Sequence, residues 1–321
     1  MLKSYAVPCL IAATALTYSF YTTRMPTAAA LRTAHAATKL TLAGRHAIVG
    51  GGTSGIGEGI ALRLAALGVH VHLLGRDEAR GAQVVAHMRE LSPQGSFAFS
   101  RVDAFSIQQL AAFAKGYMER QSSLDILVLS QGMATLQGFT PTADGLDQKL
   151  TLHFYGRMAL AQALLPALRK GEQPTVLSVL SAGVHSGVAD WEADPTLKAT
   201  YSIKRAADSA GFYNDLFLDE LARRNEGISF VHAAPGFVAT RWGTEMPFAV
   251  RMLVRGLQVF GKAPLDCAEF MLHPLFSWRA GLRLMGETGQ PAQLTPQHTD
   301  AARAALWKHT QEVLAPALAK H

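Results

Sequence analysis

At 321 residues, 49% apolar and only 17% charged, the chain excludes a disordered polyelectrolyte and leaves material for a sizeable buried core. Its net charge of +6 gathers at the start, where Lys3, Arg24, Arg32, Lys39 and Arg45 precede the first acid, Glu58. Without those five, 25 of the 30 basic residues face 24 acids, so no basic tract remains for a nucleic-acid partner.

In chain order, the first feature is the apolar run Tyr5–Tyr21, set between Lys3 and Arg24. Its length of about 17 residues is the low end for a membrane span, and Pro8 interrupts it. A signal anchor, a cleaved signal with small residues at Ala28–Ala30, or an acid-free mitochondrial leader all fit, and a terminal helix packed on the domain is the remaining alternative. Residues 1–40 are therefore expected to target or anchor the protein and to be dispensable for folding. A membrane is the expected location, the endoplasmic reticulum ahead of the mitochondrion.

From residue 46 short apolar runs alternate with amphipathic ones. "HAIVG" (46–50), "HVHLL" (70–74), "SFAFS" (96–100), "DILVLS" (125–130), "TVLSVL" (175–180) and "ISFVHA" (228–233) read as strands covered on both faces, and "GLRLMG" (281–286) as a seventh. Helical segments between them imply right-handed crossovers and an α/β fold with a doubly wound parallel sheet. One domain, 41–292, is expected, with a substrate lid at 241–280 and a C-terminal helix at 293–321.

The loop "VGGGTSGIGEGIA" joins the first strand to the first helix. Gly51, Gly55 and Gly57, with Ser54 and Ile56 between them, allow a pyrophosphate to approach the helix N-terminus. The second strand ends in Gly75 and Arg76, where an NAD site carries a carboxylate for the ribose hydroxyl. A guanidinium suits a 2′-phosphate, so NADP is the expected cofactor. Cys9 and Cys267 exclude a disulfide framework, and His70 and His72 have no third ligand at metal spacing, so no metal is expected.

These motifs resemble the short-chain dehydrogenase/reductase family, from about residue 44 to 292. The glycine pattern is similar to the family's Thr-Gly-x-x-x-Gly-x-Gly, with Gly50 in place of threonine. The resemblance implies that Asp103 binds the adenine amino group and that Pro235, Gly236 and Thr240 lie beside the nicotinamide carboxamide. It makes Ser181 the serine that holds the substrate oxygen and Tyr201 the acid/base. It implies reduction of a carbonyl or oxidation of an alcohol, and the apolar lid favours a lipophilic small molecule. A homo-oligomer is compatible with the fold.

Departures from the family pattern are equally definite. Leu129-Ser130-Gln131-Gly132 stands for Asn-Asn-Ala-Gly, keeping only Gly132, and His153 stands for the helix asparagine that supports a water. "ATYSIKRAAD" places Lys204 and Arg205 after Tyr201, with Arg205 at the family's lysine position. If the tyrosine opens a helix, both cations lie near its face, Arg205 as main electrostatic partner and Lys204 as second. The rival reading is a nucleotide-binding protein without turnover. Beyond Thr240, "MPFAVRMLVRGLQVFGK" reads as a cationic amphipathic helix that roofs a substrate, lies on a membrane, or packs on its own domain.

Overall fold

The computed structural model describes residues 26–38, 40–240, 252, 255–256 and 258–319. All seven strands read from the sequence form: β1 (His46–Gly50), β2 (His70–Gly75), β3 (Phe97–Arg101), β4 (Ile126–Leu129), β5 (Thr175–Val179), β6 (Ser229–Ala233) and β7 (Gly281–Met285). They make one parallel sheet in the order β3-β2-β1-β4-β5-β6-β7. Strands β4, β5 and β6 are buried along their whole length, which is why they read as apolar runs without polar alternation.

Helices cover both faces. One face carries α1 (Ala28–Ala37), α2 (Gly55–Ala66), α3 (Glu78–Leu91) and α8 (Pro264–Phe276), packed through Leu31, Ile60, Leu64, Met88 and Met271. The other carries α4 (Ile107–Arg120), α6 (Gly156–Leu168), α7 (Ile203–Arg224) and α9 (Asp300–Leu318). A short α5 (Gln148–Leu150) runs through a π-turn, Thr151–Tyr155, into α6. Sheet order reverses between β1 and β4, so their carboxyl ends open a crevice at the switch point.

Helix α1 corrects the boundary drawn at residue 40. Thr27 caps it by accepting from the Ala30 amide, and Leu31 and His35 are buried against α8. Arg32 donates to Glu269 at 2.8 Å and Asp266 at 2.6 Å, while the His35 ring stacks on Phe276 at 3.8 Å. Residues from about 27 onward therefore belong to the folded body. The apolar run at 5–21 lies outside the described residues, and among those described no helix is long and apolar enough to cross a membrane.

At the other end Trp307 of α9 stacks on Phe217 of α7 at 4.9 Å and so ties the C-terminal helix to the body. Most of the expected lid helix lies outside the described residues. Of the part described, Val259 and Phe260 are 82% and 84% exposed.

Candidate active site

The crevice at the switch point is a cleft of about 940 Å³. Its floor is the β1–α2 turn. Gly51 has φ +74° and Gly55 φ +61°, a backbone that L side chains rarely adopt. A Cβ on Gly51 would stand 2.6 Å from the Gln131 nitrogen, so the turn is also too tight for any side chain. Ser54 is the N-cap of α2 but makes no side-chain cap bond, which leaves the first-turn amides available to an anion. Ser54, Gly55 and Ile56 line the cleft; Gly57 packs beneath, where a Cβ would strike the Gly51 carbonyl.

At the β2 end of the cleft, Gly75 packs on the Thr53 methyl, so a side chain there would collide. Arg76 lies 5.0 Å over the Phe105 ring and lines the cleft together with Arg80. The sequence reading missed Arg80, which lies in the first turn of α3, four positions beyond Arg76, and also pairs with Asp77. Asp103 turns inward on its own loop, accepting from the Phe105 amide at 3.1 Å, while its neighbours Val102 and Ala104 line the cleft.

At the opposite end the cleft meets Gln131, Gly132, His153, Arg157, Leu180, Pro235 and Thr240. Gly236, at φ +67°, shapes the turn that presents Pro235 and Thr240. Both polar atoms of the Gln131 side chain are buried without a partner. His153 Nε2 accepts the Met133 amide at 3.1 Å, and burial pushes its pKa down to about 3. Arg157 was missed by the sequence reading, although it is the single cation of an otherwise apolar helix. It is fully buried and donates to Gln131 O, Ser178 Oγ, Val179 O and Leu152 O, and burial pulls its pKa down to about 9.

The expected catalytic residues are not brought together as expected. Tyr201 precedes α7 and does not lie within it, because Ser202 is the N-cap with extended backbone. The angular argument that placed Lys204 and Arg205 beside the tyrosine needs all three in one helix, and it fails. Lys204 pairs with Asp208 at 2.5 Å and Arg205 with Asp190 at 3.0 Å. The cation at Tyr201 is Lys149 of α5, whose Nζ donates to the phenol oxygen at 3.0 Å and to the Gln137 carbonyl at 2.9 Å. Burial raises the Tyr201 phenol to about 12 and lowers the Lys149 ammonium. Ser181 sits at the end of β5 with its amide donating to His232, but its hydroxyl is buried, unpartnered and faces Gly211 of α7. Neither Ser181 nor Tyr201 lines the cleft, whereas Gln137 and Gln148 do.

The family model for short chain dehydrogenases matches residues 45–247, the span that holds the glycine turn, the switch point and Tyr201. The chain belongs to that family. Mouse polyprenol dehydrogenase is 34% identical over 72% of this short chain dehydrogenase and 71% of the relative. Oxidoreductase AN1596 of Emericella nidulans is 32% identical over 59% of the chain, and the match spans only 57% of that relative's length. The Pseudomonas aeruginosa RhlG/NADP complex superposes with a TM-score of 0.59 at 22% identity, covering 81% of this chain and 98% of RhlG, a likeness of fold.

Proposed function

We propose that this short chain dehydrogenase is an NADP(H)-dependent oxidoreductase that interconverts a carbonyl and an alcohol on a lipophilic small molecule. The observation that carries the reading is the cleft itself. It combines a turn too tight for side chains, uncapped helix amides, two guanidiniums at one end and an unpartnered buried amide at the other. Those features fit a dinucleotide with an extra phosphate. RhlG is described with NADP, and the mouse relative is named for a polyprenol, which supports the choice of cofactor and of a lipophilic substrate. The run at residues 5–21 remains our proposed membrane anchor, in the endoplasmic reticulum ahead of the mitochondrion.

NADPH, when bound, supplies the hydride; the chain supplies and removes the proton. Tyr201 is the proposed acid/base. A phenol at about 12 is a poor acid near neutrality, so it needs a cation that stabilises its ionised form. Lys149 takes that role from a different element, replacing the Arg205 and Lys204 partners that the sequence suggested. Its ammonium is fixed by the Gln137 carbonyl, and the burial that lowers its pKa makes it the readier proton donor to a phenolate. Gln137 joins this pair to the cleft: its carbonyl accepts from Lys149 and from Tyr201, and it lines the cleft wall. Arg157 and His153 fix the backbone of the wall at Gln131 and Met133.

Binding without turnover is the second reading. It is favoured by the absence of Tyr201 and Ser181 from the cleft lining and by the unsuitable acidities of His153 and Arg157 within it. NADPH oxidation against a panel of lipophilic ketones and aldehydes separates the two. Tyr201→Phe is expected to lower turnover by about 10²–10⁴-fold with NADPH affinity unchanged. Lys149→Met should also impair turnover, and Arg205→Ala should leave it near wild type. A wild type that binds NADPH and turns over none of the panel supports the second reading; full activity in Tyr201→Phe removes this tyrosine from the mechanism.

A further inference from the structure

Behind Ser181, away from the cleft, three histidines converge on one carboxylate. Asp215 of α7 has its Oδ2 2.7 Å from His185 Nε2 and 3.2 Å from His298 Nε2, and its Oδ1 beside His232 Nδ1. His185 follows β5, His232 lies on β6, and His298 comes just before α9. The side chains of His185, Asp215 and His298 are 2%, 1% and 3% exposed. Their ligand atoms all lie within 4.8 Å of one another. The mechanism proposed above uses none of them.

We propose that His185, Asp215 and His298 form a binding site for a divalent, zinc-type metal ion. Two nitrogens and one carboxylate oxygen are a donor set that zinc accepts in tetrahedral geometry, with one position left. The groups behind the ligands are those a metal site needs. His185 Nδ1 lies 3.4 Å from the Ser186 carbonyl and His298 Nδ1 3.2 Å from the Thr295 carbonyl. A proton on His185 Nδ1 serves its carbonyl and leaves that Nε2 lone pair free for an ion, whereas His298 Nδ1 also accepts the Thr295 amide at 2.9 Å, a bond that an ion on its Nε2 must displace. Asp215 is oriented in turn by His232, which donates from Nδ1 to Oδ1 while its Nε2 accepts the Ser181 amide at 3.1 Å.

The second, independent observation is the hydroxyl of Ser181, buried and unpartnered. A Cβ at Gly211 would lie 2.5 Å from that oxygen and 2.6 Å from His185 Cδ2, so Gly211 packs tightly on both and the hydroxyl stands beside the imidazole. That hydroxyl is the candidate for the fourth ligand. The sequence expectation of no metal rested on local spacing. Here the ligands stand 30 and 83 positions from Asp215, beyond the reach of any spacing rule.

The test is metal analysis of the full chain, purified without a histidine tag, stripped with a chelator and reloaded with Zn(II) or Co(II) before gel filtration. One tightly held Zn per chain is expected, and the Co(II) form should show the intense visible bands of a tetrahedral site. His298→Gln and Asp215→Asn should each weaken Zn affinity by at least about 100-fold, whereas His70→Gln, at a histidine outside the cluster, should not. Near-ultraviolet circular dichroism checks that the variants fold, and the Co(II) spectrum of wild type is a readout that needs no variant. Substoichiometric metal in the reloaded wild type, octahedral cobalt bands, or equal loss in the His70→Gln control would each overturn the proposal.

Discussion

Arg157→Met is expected to destabilise the fold by about 3 kcal/mol, a large share of what a domain of this kind has to lose. The methionine fills most of the volume, so the effect is one of polarity. Burial that brings this guanidinium from 12.5 to about 9 corresponds to roughly 5 kcal/mol against the charge, and the substitution relieves that cost. Against it stand four hydrogen bonds from a charged donor, each worth about 1.5–3 kcal/mol. Their loss strands buried carbonyls of Gln131, Val179 and Leu152, and the second effect wins. Urea unfolding followed by circular dichroism measures it, with the midpoint expected to fall clearly. NADPH affinity should fall too, since Gln131 loses the bond that holds its carbonyl. An unchanged midpoint would show that these bonds do not hold the ends of β4 and β5 together.

Removing residues 1–40 is expected to cost about 3 kcal/mol relative to removing only 1–25. Leu31 leaves a buried site, worth about 1.5–3 kcal/mol. Glu269, buried to 1% exposure in its side chain, loses Arg32 and His35 and keeps Arg63 at 2.7 Å. A carboxylate so deeply placed with fewer partners is costly. Thermal unfolding of the two truncations gives the difference, roughly 6–12 °C for a domain of this size. The same preparations test the anchor, because the full chain should sediment with membranes and both truncations should not. Equal melting temperatures would mean that α1 is not an integral part of the fold.

The strands were legible because burial on both faces leaves no polar alternation in "DILVLS" or "TVLSVL". The glycine turn was legible because its demand for space is local, written into a few consecutive residues. What stayed hidden depends on partners distant in the chain. Helix α1 looked like part of a leader because the stretch lacks acids, yet its acids, Asp266 and Glu269, stand 234 and 237 positions on. Lys149 reaches Tyr201 across 52 positions, and nothing around "DQKLT" marks it as a partner. Tyr201 was misread for a local reason. Ser202 can cap a helix as well as ride within one, and capping leaves the residue before it extended. Arg157 was the one hidden residue with a visible signal, a lone cation among apolar helical neighbours.

The nucleotide cleft is tested most directly by titrating NADPH and NADH into the wild type and into Arg76→Ala. A charge-assisted pair between Arg76 and a 2′-phosphate should make NADPH bind about 10–100-fold tighter than NADH. Arg76→Ala should lose most of that preference through weaker NADPH binding, with NADH affinity nearly unchanged; Arg80 supplies what preference remains. Equal affinities for the two cofactors in the wild type, or binding of neither, would contradict the assignment of this cleft to NADP.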